Sequence, residues 1–240
     1  MIRLIERERR EQPRLGGRKL LYLIGRELTE NGVSVGRDRF FKVLREKKLL
    51  VERKRGRIKT TQSRHSLPVF RNLVAGLEVT GPDQIWVGDL TYIRTEEGYM
   101  FAALLMDRYS RKIVGYHMGD SLEAEGCLEA LEAALKELPD GRHPIHHSDR
   151  GCQYCCHAYV ERLTARSLQI SMTEIMHCYE NAAAERVIGI LKQEYELDRI
   201  FRTKEQSLLA FKQAVYLYNY RRPHLSLNYL VPAEVHAKAA

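Results

Sequence analysis

The chain has 240 residues, 44% of them hydrophobic, and carries 39 lysines and arginines against 31 aspartates and glutamates, for a net charge of +8. That is apolar content enough for one large or two small cored domains, and no apolar run reaches membrane length, which excludes a transmembrane helix. Five cysteines, three of them at 152, 155 and 156, exclude a secreted disulfide framework, and the arginine-rich start is unlike a signal peptide, so a cytoplasmic protein is expected.

The charge is unevenly placed. Residues 1–80 hold 21 basic against 9 acidic side chains, while residues 81–240 hold 18 against 22. A basic front joined to a slightly acidic rear suits a polyanion-binding module attached to something else. MIRLIERERRE reads as a charged helix broken by Pro13 and Gly16-Gly17. KLLYLIGRELTEN carries apolar residues at 20, 21, 23, 24 and 28, a helical stripe that Asn31-Gly32 ends. RDRFFKVLREKKLLV predicts a second amphipathic helix with Phe40, Phe41, Val43 and Leu44 inward, and the pair suggests a helix-turn-helix. The cations that follow, Arg53, Lys54, Arg55, Arg57 and Lys59, have no apolar period and read as a linker able to lie along phosphates. Gly81-Pro82 marks the expected boundary between a basic helical region with its linker, 1–80, and a second domain, 81–240.

From Ile85 the pattern turns to strands. IWVGDLTYIR, YMFAALLMDRY and KIVGYHMGD, joined by short turns, predict an antiparallel meander. Residues 121–138 predict a helix, HPIHHSD a fourth strand, CQYCCHAYVERLTARS a helix, LQISM a fifth strand, and 179–197 and 204–220 two more helices. The order βββαβαβα with a further helix implies α/β architecture, a mixed five-stranded sheet covered by helices.

Three acids sit where acids are costly or exposed for use. Asp89 interrupts a strand whose neighbours Trp86, Val87, Leu90, Tyr92 and Ile93 are apolar, and a carboxylate there needs a partner or a metal. Asp149 ends the fourth strand beside Gly151, the edge at which a sheet presents functional groups; capping of the next helix is the alternative. Glu185 lies on a helix among Ala182, Ile188 and Gly189, with thirty-five residues between it and Asp149.

WVGDLTYI, HSDRGCQY, CYENAAAERVIGILKQEY and YNYRRPHLSLNYLVPAEV together resemble the IS3 insertion-sequence transposases of the OrfB type, within the DDE transposases and retroviral-type integrases. GGRKLLYLI and GRDRFFKVLREKKLLV resemble the helix-turn-helix-like segment preceding that core. The resemblance implies an RNase H-like fold, Asp89, Asp149 and Glu185 as catalytic and metal-holding acids, and Mg²⁺ or Mn²⁺, two ions, as cofactor. Hard oxygen ligands suit such ions. It implies insertion-sequence ends and target DNA as partners, a homo-oligomer on that DNA, an upstream OrfA-type protein fused or associated, and a bacterial, nucleoid-associated location. Lys192, two helical turns past Glu185 on the same face, matches a basic residue expected at the DNA, and Arg222 in YNYRRPH is expected either to fix local structure or to touch the DNA backbone.

HPIHHSDRGCQYCCH then reads as part of this core. Cys152 and Cys155 have zinc spacing, but no second pair follows, and small packing residues are the preferred reading. Of His146 and His147, one is expected to face the core and the other the site or DNA. Gly88 departs from the family, which has a hydroxyl residue there. A simple RNase H-like nuclease and a non-catalytic DNA-binding relic remain as alternatives.

Overall fold

Apolar residues three and four apart gather three helices ahead of the sheet. The structure, a computed structural model, describes residues 1–51, 66–174 and 181–238. Helices α1 (Ile2–Glu11), α2 (Gly17–Glu30) and α3 (Arg37–Glu46) enclose Ile5, Leu15, Leu20, Ile24, Leu28, Phe40 and Leu44 in a core of their own. Helix α2 ends at Asn31, and Gly32 takes a φ of 72°, which glycine adopts without steric cost. Helix α3 is shorter than expected. Lys48 turns to a φ of 54° and the Leu49 amide bonds the Leu44 carbonyl at 2.7 Å, a closure of the Schellman kind that apolar periodicity does not reveal. Arg37, Arg39, Lys42 and Arg45 of α3 are exposed. Arg53, Lys54, Arg55, Arg57 and Lys59 lie outside the described residues.

Strands β1 (Ile85–Thr95), β2 (Gly98–Asp107) and β3 (Ile113–Gly119) form the meander, with β1 running antiparallel to β2 and β2 to β3. Alternation along β2 layers the core. Ala102, Leu104 and Met106 enter one apolar cluster, Ala103 and Leu105 another on the opposite face. Helix α4 (Ala124–Glu137) lies so close to β3 that a Cβ on Gly115 would stand 2.2 Å from the Ala130 carbonyl oxygen. Strands β4 (Ile145–Ser148) and β5 (Gln169–Met172) continue the sheet in parallel, in the order β3-β2-β1-β4-β5. The helix expected over 152–167 is two, α5 (Cys152–Cys155) and α6 (His157–Ala165), because Cys156 between them is extended, at ψ 150°.

Helix α7 (Ala182–Glu194) and helix α8 (Lys204–Tyr220) cover the face opposite α4, through Ala184, Val187, Ile190, Phe211, Ala214 and Tyr218. Between them a sixth strand, β6 (Ile200–Phe201), pairs with the far end of β1 at Arg94 and Thr95. Five strands were expected, and two residues are too few to show a period. A last helix, α9 (Pro232–Lys238), was also not foreseen. The end of the expected linker already lies on the core. Leu67 and Phe70 pack against its apolar cluster, and the Leu73 amide donates to Ser171 Oγ at 2.8 Å. Among the described residues no helix is long and apolar enough to cross a membrane.

Candidate active site

Strand register brings two of the acids together. Strand β4 pairs with β1 only at Ile85, Trp86 and Val87, the last opposite His147. Two residues further on stand Asp89, still within β1, and Asp149, just past the end of β4. Residues two apart share a face, so both acids lie on the side of Ile85 and Val87, the side that α7 covers. Glu185 is exposed in the first turn of α7, whose buried stripe is Ala184, Val187, Ile190 and Leu191.

The Asp89 carboxyl feels the charge of both other acids. The Asp89 carboxyl is pushed up to about 8, first by burial and then by the charge of Asp149, with Glu185 adding to the rise; the Leu90 amide and Lys192 work against it. Part of the Asp89 residue is open to solvent, but its carboxyl is set deep enough for burial to lead. Its Oδ1 accepts from the Leu90 amide at 2.8 Å, and Asp149 Oδ1 accepts from the Gly151 amide at 2.9 Å. Asp89, whose ionisation the other two acids oppose, belongs with them to a hard, anionic donor set that a divalent cation would relieve. The residues therefore fit the metal that the sequence implies.

The carboxylates are more open than another group. Asp83, Asp107 and His236 are, among the described residues, the one set of three whose ligand atoms all lie within 4.8 Å of one another. Those atoms are already engaged. Asp107 accepts from the Ser110 amide and hydroxyl at 2.7 and 2.6 Å and from the Asp83 amide at 2.9 Å, and Trp86 Nε1 donates to Asp83 at 2.9 Å. Burial would raise the Asp107 pKa, but His236, Ser110 and Asp83 together hold it below the ordinary carboxylate range. This knot ties α9 to the ends of β1 and β2.

Lys192 shares the acids' neighbourhood. Its Nζ lies 4.5 Å from the centroid of the Tyr92 ring, and burial lowers its pKa while Asp89 and Asp198 raise it. Arg222 does not reach a surface that DNA could touch. It is 2% exposed, and its Nε and Nη2 donate to Glu194 at 2.8 and 2.9 Å. Of the two roles expected for it, the structure favours the local one. Both histidines are buried, so neither faces DNA: His146 Nε2 meets Tyr159 Oη at 3.0 Å, and His147, on the face that Asp149 shares, meets Ser171 Oγ through Nδ1 at 2.9 Å. Burial drives His146 down to about 3, so it is neutral.

Gly88 now has a physical reading. A Cβ there would come within 3.1 Å of Leu105, 3.2 Å of His146 and 3.4 Å of Tyr154, side chains that already fill the space. Cys155 behaves as a packing residue. It is wholly buried with its Sγ 3.7 Å from Met172 Sδ, and burial pushes its thiol up to about 11. Sequence reasoning missed Asn181, at the start of α7, whose only local signal is that of a helix cap.

Known proteins place this geometry. The family "Integrase core domain" matches residues 79–178, and a second family of that description matches residues 166–232. The "Insertion element IS600 uncharacterized 31 kDa protein" of Shigella sonnei is 37% identical over 88% of this chain and 79% of its own length. The "Transposase for insertion sequence element IS629" of the same organism is 31% identical over 88% of this chain and 71% of its own length. "Transposase InsF for insertion sequence IS3A" of Escherichia coli is 39% identical over 54% of this chain, a match that spans 46% of InsF. Among solved structures, a chain of the simian T-cell lymphotropic virus intasome in complex with PP2A regulatory subunit B56 gamma superposes at a TM-score of 0.55 with 18% identity, over 73% of this chain and 60% of its own. The HTLV-2 integrase catalytic core domain in complex with magnesium does so at 0.50 with 17% identity, over 66% of this chain and 99% of its own. These two bear on the fold alone. On this sequence kinship and this architecture, the chain belongs to the IS3 family of insertion-sequence transposases, DDE-type polynucleotidyl transferases on an RNase H-like integrase core.

Proposed function

We propose that the chain cuts the ends of its insertion element and joins them to target DNA at a centre made of Asp89, Asp149 and Glu185. The observation that carries this is the Asp89 carboxyl, set where β4 leaves β1 and opposed in its ionisation by both other acids. The three would hold Mg²⁺ or Mn²⁺, two ions being the expected number; the magnesium named with HTLV-2 integrase supports that choice. Such ions, when bound, supply positive charge that activates an attacking water or 3′-OH and stabilises the leaving oxygen. The chain's own residues do the placing. The Gly151 amide fixes one Asp149 oxygen and the Leu90 amide one Asp89 oxygen, leaving the second oxygen of each for the site. Lys192, held over Tyr92, offers a cation to the phosphate next to the cut.

Residues 1–80 supply DNA affinity and residues 81–240 the chemistry. Joining two element ends calls for more than one copy on DNA, so a homo-oligomer forms there, with an upstream OrfA-type protein supplying further end recognition; the workplace is the bacterial cytoplasm and its nucleoid. The test is end-containing duplex incubated with the protein in Mg²⁺. Nicking at the element ends that chelation abolishes is expected. Equal cutting of unrelated duplex would favour the simple nuclease, and binding without cutting would favour the relic.

The basic linker is expected to carry much of the non-specific affinity. Each phosphate neutralised contributes about 0.9 to the slope of log affinity against log salt. Replacing Arg53, Lys54, Arg55, Arg57 and Lys59 by alanine should therefore flatten that slope by about 4.5 and weaken binding to unrelated sequences alike. An unchanged slope would mean that the linker only spaces the two regions.

A further inference from the structure

One side chain fastens the start of α7 to β1. Pairing of β4 with β1 stops at Val87, so the Gly88 carbonyl lies just past the end of that ladder. Asn181 Nδ2 donates to this carbonyl at 3.1 Å. Asn181 is 3% exposed and occupies the N-cap position of α7, yet its side chain makes no capping bond. An N-cap asparagine ordinarily accepts from an amide of the first turn; here the amide group turns away from the helix and toward the strand. Its Oδ1 is buried with no partner, a costly state for an acceptor that serves only the helix. The Asn181 backbone carbonyl, meanwhile, accepts from the amides of Ala184 at 3.1 Å and Glu185 at 3.2 Å.

One residue thus bonds both the peptide immediately before Asp89 and the peptide of Glu185. The two acids stand on separate elements, 96 positions apart in sequence (89 and 185), and Glu185 is exposed in the first turn of its helix. Packing of Ala184 alone would let that turn rock about the buried stripe. Resting on the assignment of Asp89, Asp149 and Glu185 as the catalytic centre, we infer that Asn181 is a positioning residue: a strut that sets the separation of the Asp89 and Glu185 carboxylates. Misplacement of a ligating group by about an ångström is enough to cost about a hundredfold in such sites, and loss of an outer partner typically lowers metal affinity about ten- to a hundredfold.

Asn181→Ser separates strut from cap. Serine caps helices as well as asparagine does, but its hydroxyl is too short to reach the Gly88 carbonyl. The readout is Mn²⁺ binding by the whole protein without DNA, followed by the magnetic resonance of free Mn²⁺, beside end-DNA affinity measured in chelator. The half-saturating Mn²⁺ is expected to rise about tenfold with end-DNA affinity unchanged, and excess Mn²⁺ should restore cleavage. Asn181→Thr, a second short cap, runs alongside so that the result does not hang on one folded variant, and Asp149→Asn is the control. Loss of Mn²⁺ binding in Asp149→Asn with unchanged half-saturation in both Asn181 variants overturns the strut and leaves the centre standing. Equal loss of metal and DNA binding in the Asn181 variants also overturns it, since that is general unfolding. Wild-type Mn²⁺ binding by Asp149→Asn overturns the centre itself, and the strut with it.

Discussion

Asp149→Asn is expected to cut strand cleavage in Mg²⁺ by about a thousandfold, the upper range for losing one group that steadies developing charge, while end-DNA binding survives. The change keeps the side chain's shape and an oxygen for the Gly151 amide, which now donates at 2.9 Å, and removes only the charge. Near wild-type cleavage would end the assignment. Asp89→Asn should lose cleavage equally and show a second effect of opposite sense. The Asp89 carboxyl titrates near 8 in the folded chain and near 3.9 when unfolded. Between those values the folded state holds a proton that the unfolded state has lost, so metal-free stability falls as pH rises through this window. Above about pH 8 the whole penalty is present. Asparagine cannot ionise and escapes it, so metal-free Asp89→Asn should melt on the order of 5 °C above wild type at pH 8, with the gap closing toward pH 4. A variant less stable than wild type at pH 8 would show that the acid is not strained by its neighbours. The acid that would serve the chemistry weakens the empty fold, as functional sites commonly do.

How much of this was legible in the sequence follows from the range of each interaction. The sheet meander was legible because alternation in YMFAALLMD is local and its period survives any packing. The acids were legible because each stood out against a local pattern: Asp89 against an apolar strand, Asp149 at a strand's end. Their proximity follows from a register, Val87 opposite His147, that no local pattern contains. The burial of both His146 and His147 was illegible for a related reason. Alternation correctly sent them to opposite faces, but both faces of β4 are buried here, under Tyr159 on one side and beside Ser171 on the other. Asn181 is visible as a helix cap, and its bond to Gly88 spans 93 positions. The doubly bonded Arg222 likewise depends on Glu194, which looks from sequence like any solvated helix acid.

Glu194 is in fact the charge at the centre of the seam between the amino-terminal helices and the core, and its removal is expected to be the most destabilising single change. Glu194 Oε1 takes Lys19 Nζ at 2.8 Å and Arg222 Nη2 at 2.9 Å, while Oε2 takes Arg222 Nε at 2.8 Å. Burial alone would raise the Glu194 pKa, but Arg222 and then Lys19 outweigh it and hold it below the ordinary range. Lys19 is brought down to about 8, first by burial and then by Arg222, with Glu194 only partly offsetting them. The two partners therefore do not benefit equally. Glu194→Ala leaves two enclosed cations facing each other, a change that costs about 3–5 kcal/mol and should lower the melting temperature by roughly 10 °C in a chain of this size. Lys19→Met removes a charge whose burial is poorly repaid and leaves the Arg222–Glu194 fork in place, so it should shift stability by less than about 1 kcal/mol. The sign of the pH dependence agrees: with its folded pKa lowered, Lys19 opposes folding while protonated, and wild-type stability should gain between about pH 8 and 10.5, a gain that Lys19→Met lacks. Thermal melts of the two variants from pH 7 to 10 decide it. Equal losses would mean that Lys19 and Arg222 hold Glu194 as interchangeable partners, whereas a large loss in Glu194→Ala alone would place the seam's stability in the core's own ion pair, onto which the amino-terminal helices dock.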